Sequence, residues 1–301
     1  MHRLWELLKE TYLEWDRHKA PKLGAGLAYY TVLSLAPLLI VLLTVVGLVL
    51  GQQAAEGQVM AQIGDLMGAE GAQAIQAVIA NANQPKTGIL ASVLGIVTLF
   101  IGASGVFTEL HDALNTIWDV PASNDSGVWT LIRQRFLSFG MVLAIGFLLL
   151  VSLVVSAGVA AACKYVGNLL PMPAVALQAA NFFVSLLVIA VLFAMIYRFL
   201  PDQRVEWRDV GIGAGATALL FSIGKLLIGL YIGKAGVGSA YGAAGSLVVV
   251  LAWVYYSAQV FLFGAEFTHV YAKARRPHAY PVAEAPVSTV PVHITGDQAR
   301  T

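Results

Sequence analysis

The chain reads as an all-α, polytopic membrane protein with six transmembrane helices, and three observations lead there. Five stretches, 23–50, 87–108, 136–163, 165–197 and 235–265, contain no Asp, Glu, Lys or Arg, and a sixth, 210–233, contains only Lys225. At 1.5 Å per residue each is long enough for a hydrocarbon core of ~30 Å, which about 20 apolar residues span. The composition agrees: 58% of residues are hydrophobic and 12% charged, against roughly 25% charged in a soluble domain, so polar groups cannot cover a globular surface. Finally, with the amino terminus inside, Lys and Arg fall fourteen to three on the inner side. That is the positive-inside bias, and it places both termini in the cytoplasm.

The elements follow in order. Residues 1–22 form a cytoplasmic amphipathic segment, in which Leu4, Leu8, Tyr12 and Trp15 recur at helical spacing while Arg3, Lys9 and Arg17 lie off the stripe, as in a helix lying in the plane of the membrane. The first apolar run is a retained span rather than a leader, because Glu6, Glu10, Glu14 and Asp16 precede it, unlike the short basic start of a signal peptide. The transmembrane domain covers 23–272, with spans at about 23–50, 87–108, 136–163, 174–198, 209–232 and 242–270. Between the first two, Val59, Ile63, Leu66, Met67, Ile75, Val78 and Ile79 keep helical spacing, broken at Gly68 and Gly71. This predicts an outer helical hairpin over 53–83, resting on the lipid surface or the bundle, or serving as a lid over an outward cavity. Residues 273–301, with Pro277, Pro281, Pro286 and Pro291, have no apolar period and read as a disordered cytoplasmic tail.

Several residues interrupt these spans. Pro37 removes the hydrogen bond to the Leu33 carbonyl and is expected to bend the first span, with Ser34 or a neighbouring helix satisfying the freed carbonyl. Small residues at Gly24 and Gly26, at 102–105, at Gly211, Gly213 and Gly215, and at 242–245 predict close helix packing. Trp and Tyr near the boundaries (Tyr29, Tyr30, Trp118, Trp129, Tyr165, Tyr197, Trp207, Tyr231, Tyr241 and Tyr271) suit the headgroup layer.

Ionisable residues supply the candidate sites. Lys225 is the one charge inside its run. An ammonium at the centre of a span is unfavourable by about 2.5–3.5 kcal/mol, so it either snorkels to the outer interface or faces the bundle to pair with a carboxylate or attract an anion. Glu109 and Glu266 each end a charge-free run at similar depth near the inner face, where the two could meet. In Glu266-Phe-Thr-His269 the acid and imidazole share one helical face. Proton or cation coupling and plain solvation of the helix ends are both open there. One Glu-x-x-His is half of the pattern that dimetal bundles use, and no metal or cofactor is expected. Arg198, Arg204 and Arg208 in the inner loop are candidates for binding anionic headgroups, or simply make turn hydrogen bonds and surface ion pairs.

The order of these elements resembles a known family. Lys22 with Leu27-Ala-Tyr-Tyr-Thr31 and Ser34-Leu-Ala-Pro37 is similar to the opening signature of the YihY/BrkB family of bacterial inner-membrane proteins. Four further blocks agree: Gly102-Ala-Ser-Gly-Val-Phe-Thr-Glu109 with Leu114-Asn115 and Ile117-Trp118; Tyr197-Arg-Phe-Leu-Pro-Asp202; Lys225 followed by Tyr231; and Tyr241-Gly-Ala-Ala-Gly245 continuing through Trp253-Val-Tyr-Tyr256 to Gly264-Ala-Glu266. The resemblance covers about residues 3–276 and implies six spans in the bacterial inner (plasma) membrane. One branch is associated by name with virulence and serum resistance, and members have carried a ribonuclease BN label. This chain does not suit a nuclease: a metal-type hydrolase needs clustered His and Asp around an activated water, and His111-Asp112 stands almost alone. No nucleic-acid partner and no enzymatic activity are therefore expected.

The function expected is transport or flipping of an anionic amphiphile or envelope precursor, with Lys225, Glu109, Glu266, His269, Tyr231 and Pro37 along the substrate or ion path. No Gly-x-x-x-x-Gly-Lys-Ser/Thr loop is present, so movement would be passive, ion-coupled or partner-driven. The alternative is a structural or regulatory membrane protein that transports nothing. Membrane lipids are the expected surroundings, and a second copy or an envelope protein the expected partner.

Overall fold

The computed structural model describes residues 2–82, 102, 105–120, 174–203, 205–235, 241 and 244–275. They form helices α1 (His2–Arg17), α2 (Ala20–Leu50) and α3 (Gln52–Ala82), then α4 over 105–117, then α5 (Ala174–Phe199), α6 (Trp207–Ala235) and α7 (Gly245–Arg275). No strand occurs among the described residues. Within 182–199, 207–231 and 245–275, three helices are long and apolar enough to cross a membrane. The first expected span coincides with α2. Most of the second and all of the third lie outside the described residues, as do Trp129, Tyr165, Arg204 and the tail from 276.

Two expected boundaries shift. Lys19 takes the left-handed conformation (φ 55°, ψ 42°) and α2 starts at Ala20, with Pro21 in its first turn. A left-handed residue cannot continue a helix, and proline with its preset φ suits a helix start. Residues 20–22 therefore lie in the same helix as the first apolar run. At the other end α7 runs to Arg275, three residues into the expected tail, and Lys273 and Arg275 lie in its last turn, where cations favour the helix dipole.

Helix α7 is central: α1, α2, α3 and α6 all pack on it. Its pairing with α6 is antiparallel, because Asp209 meets Arg275, Gly213 meets Thr268, Thr217 meets Gly264 and Gly224 meets Tyr256 in steps. A second antiparallel ladder joins α2 to the stretch leading into α4. There Gly102 lies on Ser34, Gly105 on Tyr30, and Glu109 on Gly26. A Cβ at Gly24, Gly26, Gly102, Gly105, Gly213 or Gly264 would collide with the facing side chain. Close packing is thus the use of these small residues. Gly211 and Gly215 are different: a Cβ there would meet nothing, since residues two apart on a helix point about 200° apart and only Gly213 faces α7.

Pro37 lies within α2, which continues to Leu50. The Ser34 hydroxyl donates to the Tyr30 and Thr31 carbonyls, both at 3.1 Å, so it does not serve the carbonyl that Pro37 frees. In α3 the break falls at Gly68 (φ 79°, ψ 177°), while Gly71 remains helical and packs on Met67. A Cβ on Gly64 would stand 4.0 Å from that of Ala72. Eight residues of straight helix would separate them by about 12 Å, so the chain turns back at Gly68.

Two apolar clusters occur among the described residues. The larger contains Leu27, Leu114, Trp118, Tyr197, Phe261 and Leu262, and the smaller joins Leu39 to Met67, Ala74 and Ile75 of α3 and to Val249 and Val250 of α7. Among the expected interface aromatics, Tyr29, Trp207, Tyr231 and Tyr241 are exposed, but Trp118 and Tyr197 are buried. Tyr197 donates its hydroxyl to the Phe261 carbonyl at 2.7 Å, which satisfies its polar end inside the bundle.

Candidate functional site

The densest group of buried ionisable residues lies where α1 turns into α2. His18 follows the last turn of α1, and its amide still bonds the Glu14 carbonyl at 2.9 Å. The left-handed Lys19 then redirects the chain, leaving the imidazole pointed at α7. Its Nδ1 is 2.7 Å from Glu266 Oε1. The His18 side chain is 8% exposed and that of Glu266 0%. Burying two charges is costly, and a close pair repays the cost only when geometry is good; breaking such a pair by removing one partner is strongly destabilising. Glu266 Oε2 has no hydrogen-bond partner among the described residues.

Three other elements complete the junction. From α1, Arg17 pairs with Glu14 and its Nη2 lies 2.9 Å from His18 Nε2. From the end of α4, Asp119 accepts from Arg17 Nη2 at 3.2 and 3.3 Å, and its Oδ1 stands 3.4 Å from His18 Nε2. Asp119 is itself left-handed (φ 49°), so two non-glycine residues at positive φ, Lys19 and Asp119, flank one site. Such conformations are of order 1–3 kcal/mol uphill and persist where the surroundings hold them. From α7, Lys273 Nζ approaches Glu14 Oε1 at 3.9 Å, and His269, 3% exposed, packs its ring 5.0 Å from that of Trp118.

Burial is the largest influence on His18 and opposes its charged form. The hydrogen bond and charge of Glu266, with Asp119, outweigh burial and the nearby Arg17, so the imidazole pKa stands above its ordinary 6.5.

The sequence-derived candidates are distributed differently from expectation. Glu266 and Glu109 have different partners: Glu266 turns to His18, and Glu109 lies against Gly26. His269 shares the face of Glu266 but rests on Trp118. No group of three His, Cys, Asp or Glu able to hold a metal occurs among the described residues. Arg198 donates to the Val205 carbonyl and lies over the Trp207 ring at 5.8 Å, so its guanidinium helps close the loop. Arg208 is exposed.

Lys225 is half-buried on the side of α6 that carries Ala214, Ala218, Phe221 and Ile228. Ile223, Leu226, Leu227 and Leu230 occupy the exposed side. Tyr231 is 61% exposed and lies about a third of a turn round the helix from Lys225.

Sequence reasoning missed His18, Arg17, Asp119, Asn115 and Asp209. Asn115 donates to Asp202 Oδ2 at 2.8 Å and accepts from the Asp202 amide at 3.0 Å, which fastens the α5–α6 loop to α4. Buried Asp209 accepts from Arg275 at 2.8 Å. The Lys19-Ala-Pro21 break was the available signal for His18, since it marks a forced turn beside an imidazole.

Long apolar helices closed by small-residue ladders, with ionisable groups gathered at one end, define an integral membrane protein of helical-bundle type. A family model for virulence factor BrkB matches residues 11–286, and the chain belongs to that family. It is 31% identical over 253 residues to a UPF0761 membrane protein of Ralstonia nicotianae, covering 81% of this chain and 54% of the relative. A UPF0761 membrane protein of Pseudoalteromonas atlantica is 29% identical over 250 residues, covering 81% and 78%. One from Rhodospirillum centenum is 29% identical over 266 residues, covering 84% and 56%. The chain thus spans little more than half the length of the first and third of these relatives. No solved structure matches.

Proposed function

We propose that this protein moves an anionic amphiphile or envelope precursor across the bacterial inner membrane, through a bundle of six spans with both termini in the cytoplasm and the α3 hairpin outside. In this reading the His18 end faces the cytoplasm. One observation carries the reading: Lys225 stands on the packed side of α6, in register with Ala218, Phe221 and Ile228, rather than among the lipid-side leucines. A cation kept from lipid at that depth suits attraction of an anionic headgroup. Glu109, Glu266 and His269 lie toward the entry side, and Arg208 with Arg204 would meet headgroups there.

The rival reading is a non-transporting scaffold that acts through a second copy or an envelope partner. It is supported by the exposed apolar side of α1, where Leu4 is 62%, Trp5 69% and Tyr12 58% exposed. These side chains adjoin the side that Thr11 and Glu14 press on the bundle, and they also suit the membrane surface.

The test is reconstitution into liposomes with fluorescent anionic lipids and small-anion flux assays, comparing wild type with Lys225→Ala, Lys225→Arg and Glu266→Gln. Transport predicts flux that falls about tenfold or more in Lys225→Ala and recovers in Lys225→Arg, a loss of the size expected for one charge-assisted contact. No flux of lipid or anion, or flux indifferent to Lys225, would move the conclusion to the scaffold.

A further inference from the structure

We propose that the α1–α2 junction is a proton-binding site in which His18 Nε2 exchanges Arg17 for Asp119 when a proton arrives. The geometry places two partners of opposite demand beside one nitrogen. Arg17 Nη2 lies 2.9 Å from Nε2. A guanidinium only donates, so this contact needs a lone pair on Nε2 and leaves the ring proton on Nδ1, directed at Glu266 Oε1 at 2.7 Å. Asp119 Oδ1 lies 3.4 Å from the same Nε2. A carboxylate only accepts, so a hydrogen bond from the ring to it would need Nε2–H. The two partners suit opposite states of one nitrogen, and both belong to side chains about half exposed, through which water reaches an otherwise covered ring.

In the neutral state Nδ1–H donates to Glu266 and Arg17 donates to Nε2. When a proton binds Nε2, the imidazolium donates to both carboxylates, Glu266 within the bundle and Asp119 at its rim, and Arg17 keeps its contacts with Asp119 and Glu14. The same ring can also carry the proton inward. With Nε2 protonated from water, the Nδ1 proton passes to Glu266 Oε1, so Glu266 is left protonated and the ring neutral in its other tautomer. The proton comes from water and nothing else is consumed. Glu266 Oε2, fully buried and without a hydrogen-bond partner among the described residues, marks Glu266 as the inner terminus. The groups facing the pair from the packed elements are Glu14 and Arg17 of α1, Asp119 after α4, and His269 and Lys273 of α7. The raised pKa of His18 agrees with a proton held by the Glu266 and Asp119 carboxylates against burial.

The site stands whether or not the protein transports, and its test needs no flux. The full chain, labelled with ¹⁵N-histidine and held in lipid nanodiscs, is titrated through the imidazole range, and His18 is assigned by the signal lost in His18→Gln. The expected result is a midpoint above 6.5 and a neutral form protonated on Nδ1. Asp119→Asn should weaken proton affinity and Arg17→Gln should strengthen it, each by about threefold, as befits half-exposed partners. Glu266→Gln should weaken it more. Shifts of the same sign for Asp119→Asn and Arg17→Gln, no shift in either, or a neutral ring protonated on Nε2 would overturn the proposal. Because Arg17 and Asp119 lie at the rim, their variants keep the bundle intact, which a helical circular dichroism spectrum equal to wild type verifies.

Discussion

The two ends of the bundle are joined by different means. At the His18 end the contacts are directional: His18 with Glu266, Asn115 with Asp202, Asp209 with Arg275, and Tyr197 on the Phe261 carbonyl. At the far end α2, α3 and α7 meet through Leu39, Met67, Ile75, Val249 and Val250. Lipid tails are as apolar as Leu39, Val249 and Val250, so burying these three against one another adds little drive for association in a membrane. The comparison teaches that register in this bundle is set at the charged end, by contacts with few alternative partners, and that the far end follows from packing.

The largest expected effect breaks the charged end. His18→Ala leaves Glu266 buried without its partner and should cost ~3–5 kcal/mol, measured as a loss of stability in a denaturant titration of the purified protein in detergent. The effect depends on pH with a definite sign. Because the folded-state pKa of His18 is raised, its contribution is present in full below the ordinary 6.5 and is lost as pH rises through the raised value. Wild type should therefore weaken toward alkaline pH, and His18→Gln should show a flatter profile over the same window.

An intermediate effect separates the ladder from the lipid side. Gly213→Ala drives a methyl into Thr268 and should cost about 1–3 kcal/mol by overpacking. Gly215→Ala meets nothing and should be neutral or stabilise by up to about 1 kcal/mol through helix propensity. Equal melting temperatures for the two variants would deny that Gly213 is a packing position. The smallest effect concerns the loop latch. Asn115→Ala removes two hydrogen bonds near the surface and should cost about 1–2 kcal/mol, with faster proteolysis of the 200–206 loop as the local readout.

Much of this architecture was legible in the sequence because charge-free length is a property of one segment at a time. The runs at 174–198, 209–232 and 242–270 lie within or close to α5, α6 and α7, and Gly68 marks the break in α3. Pairings were not legible, since they depend on residues far apart. Nothing local identifies Glu266 as the partner of His18 or Asp202 as the partner of Asn115. The three glycines 211, 213 and 215 look equivalent in a row, and only the helix rotation separates the one that packs from the two that do not. In α1 the apolar stripe of Leu4, Leu8 and Tyr12 is exposed, and the side touching the bundle carries Thr11 and Glu14. Periodicity finds the apolar stripe of α1, but not that the stripe stays open while the flank with Thr11 and Glu14 meets the bundle.

The separation of His18 from Glu266, 248 residues, also imposes an order on assembly. At about 5–20 residues per second of synthesis, α1 leaves the ribosome some 10–50 s before its partner exists. Until α7 has entered the membrane, the imidazole lacks Glu266 and α1 lacks the helix it packs on most. Docking of α1 thus waits for α7, and it reports that α7 has reached its place in the bundle.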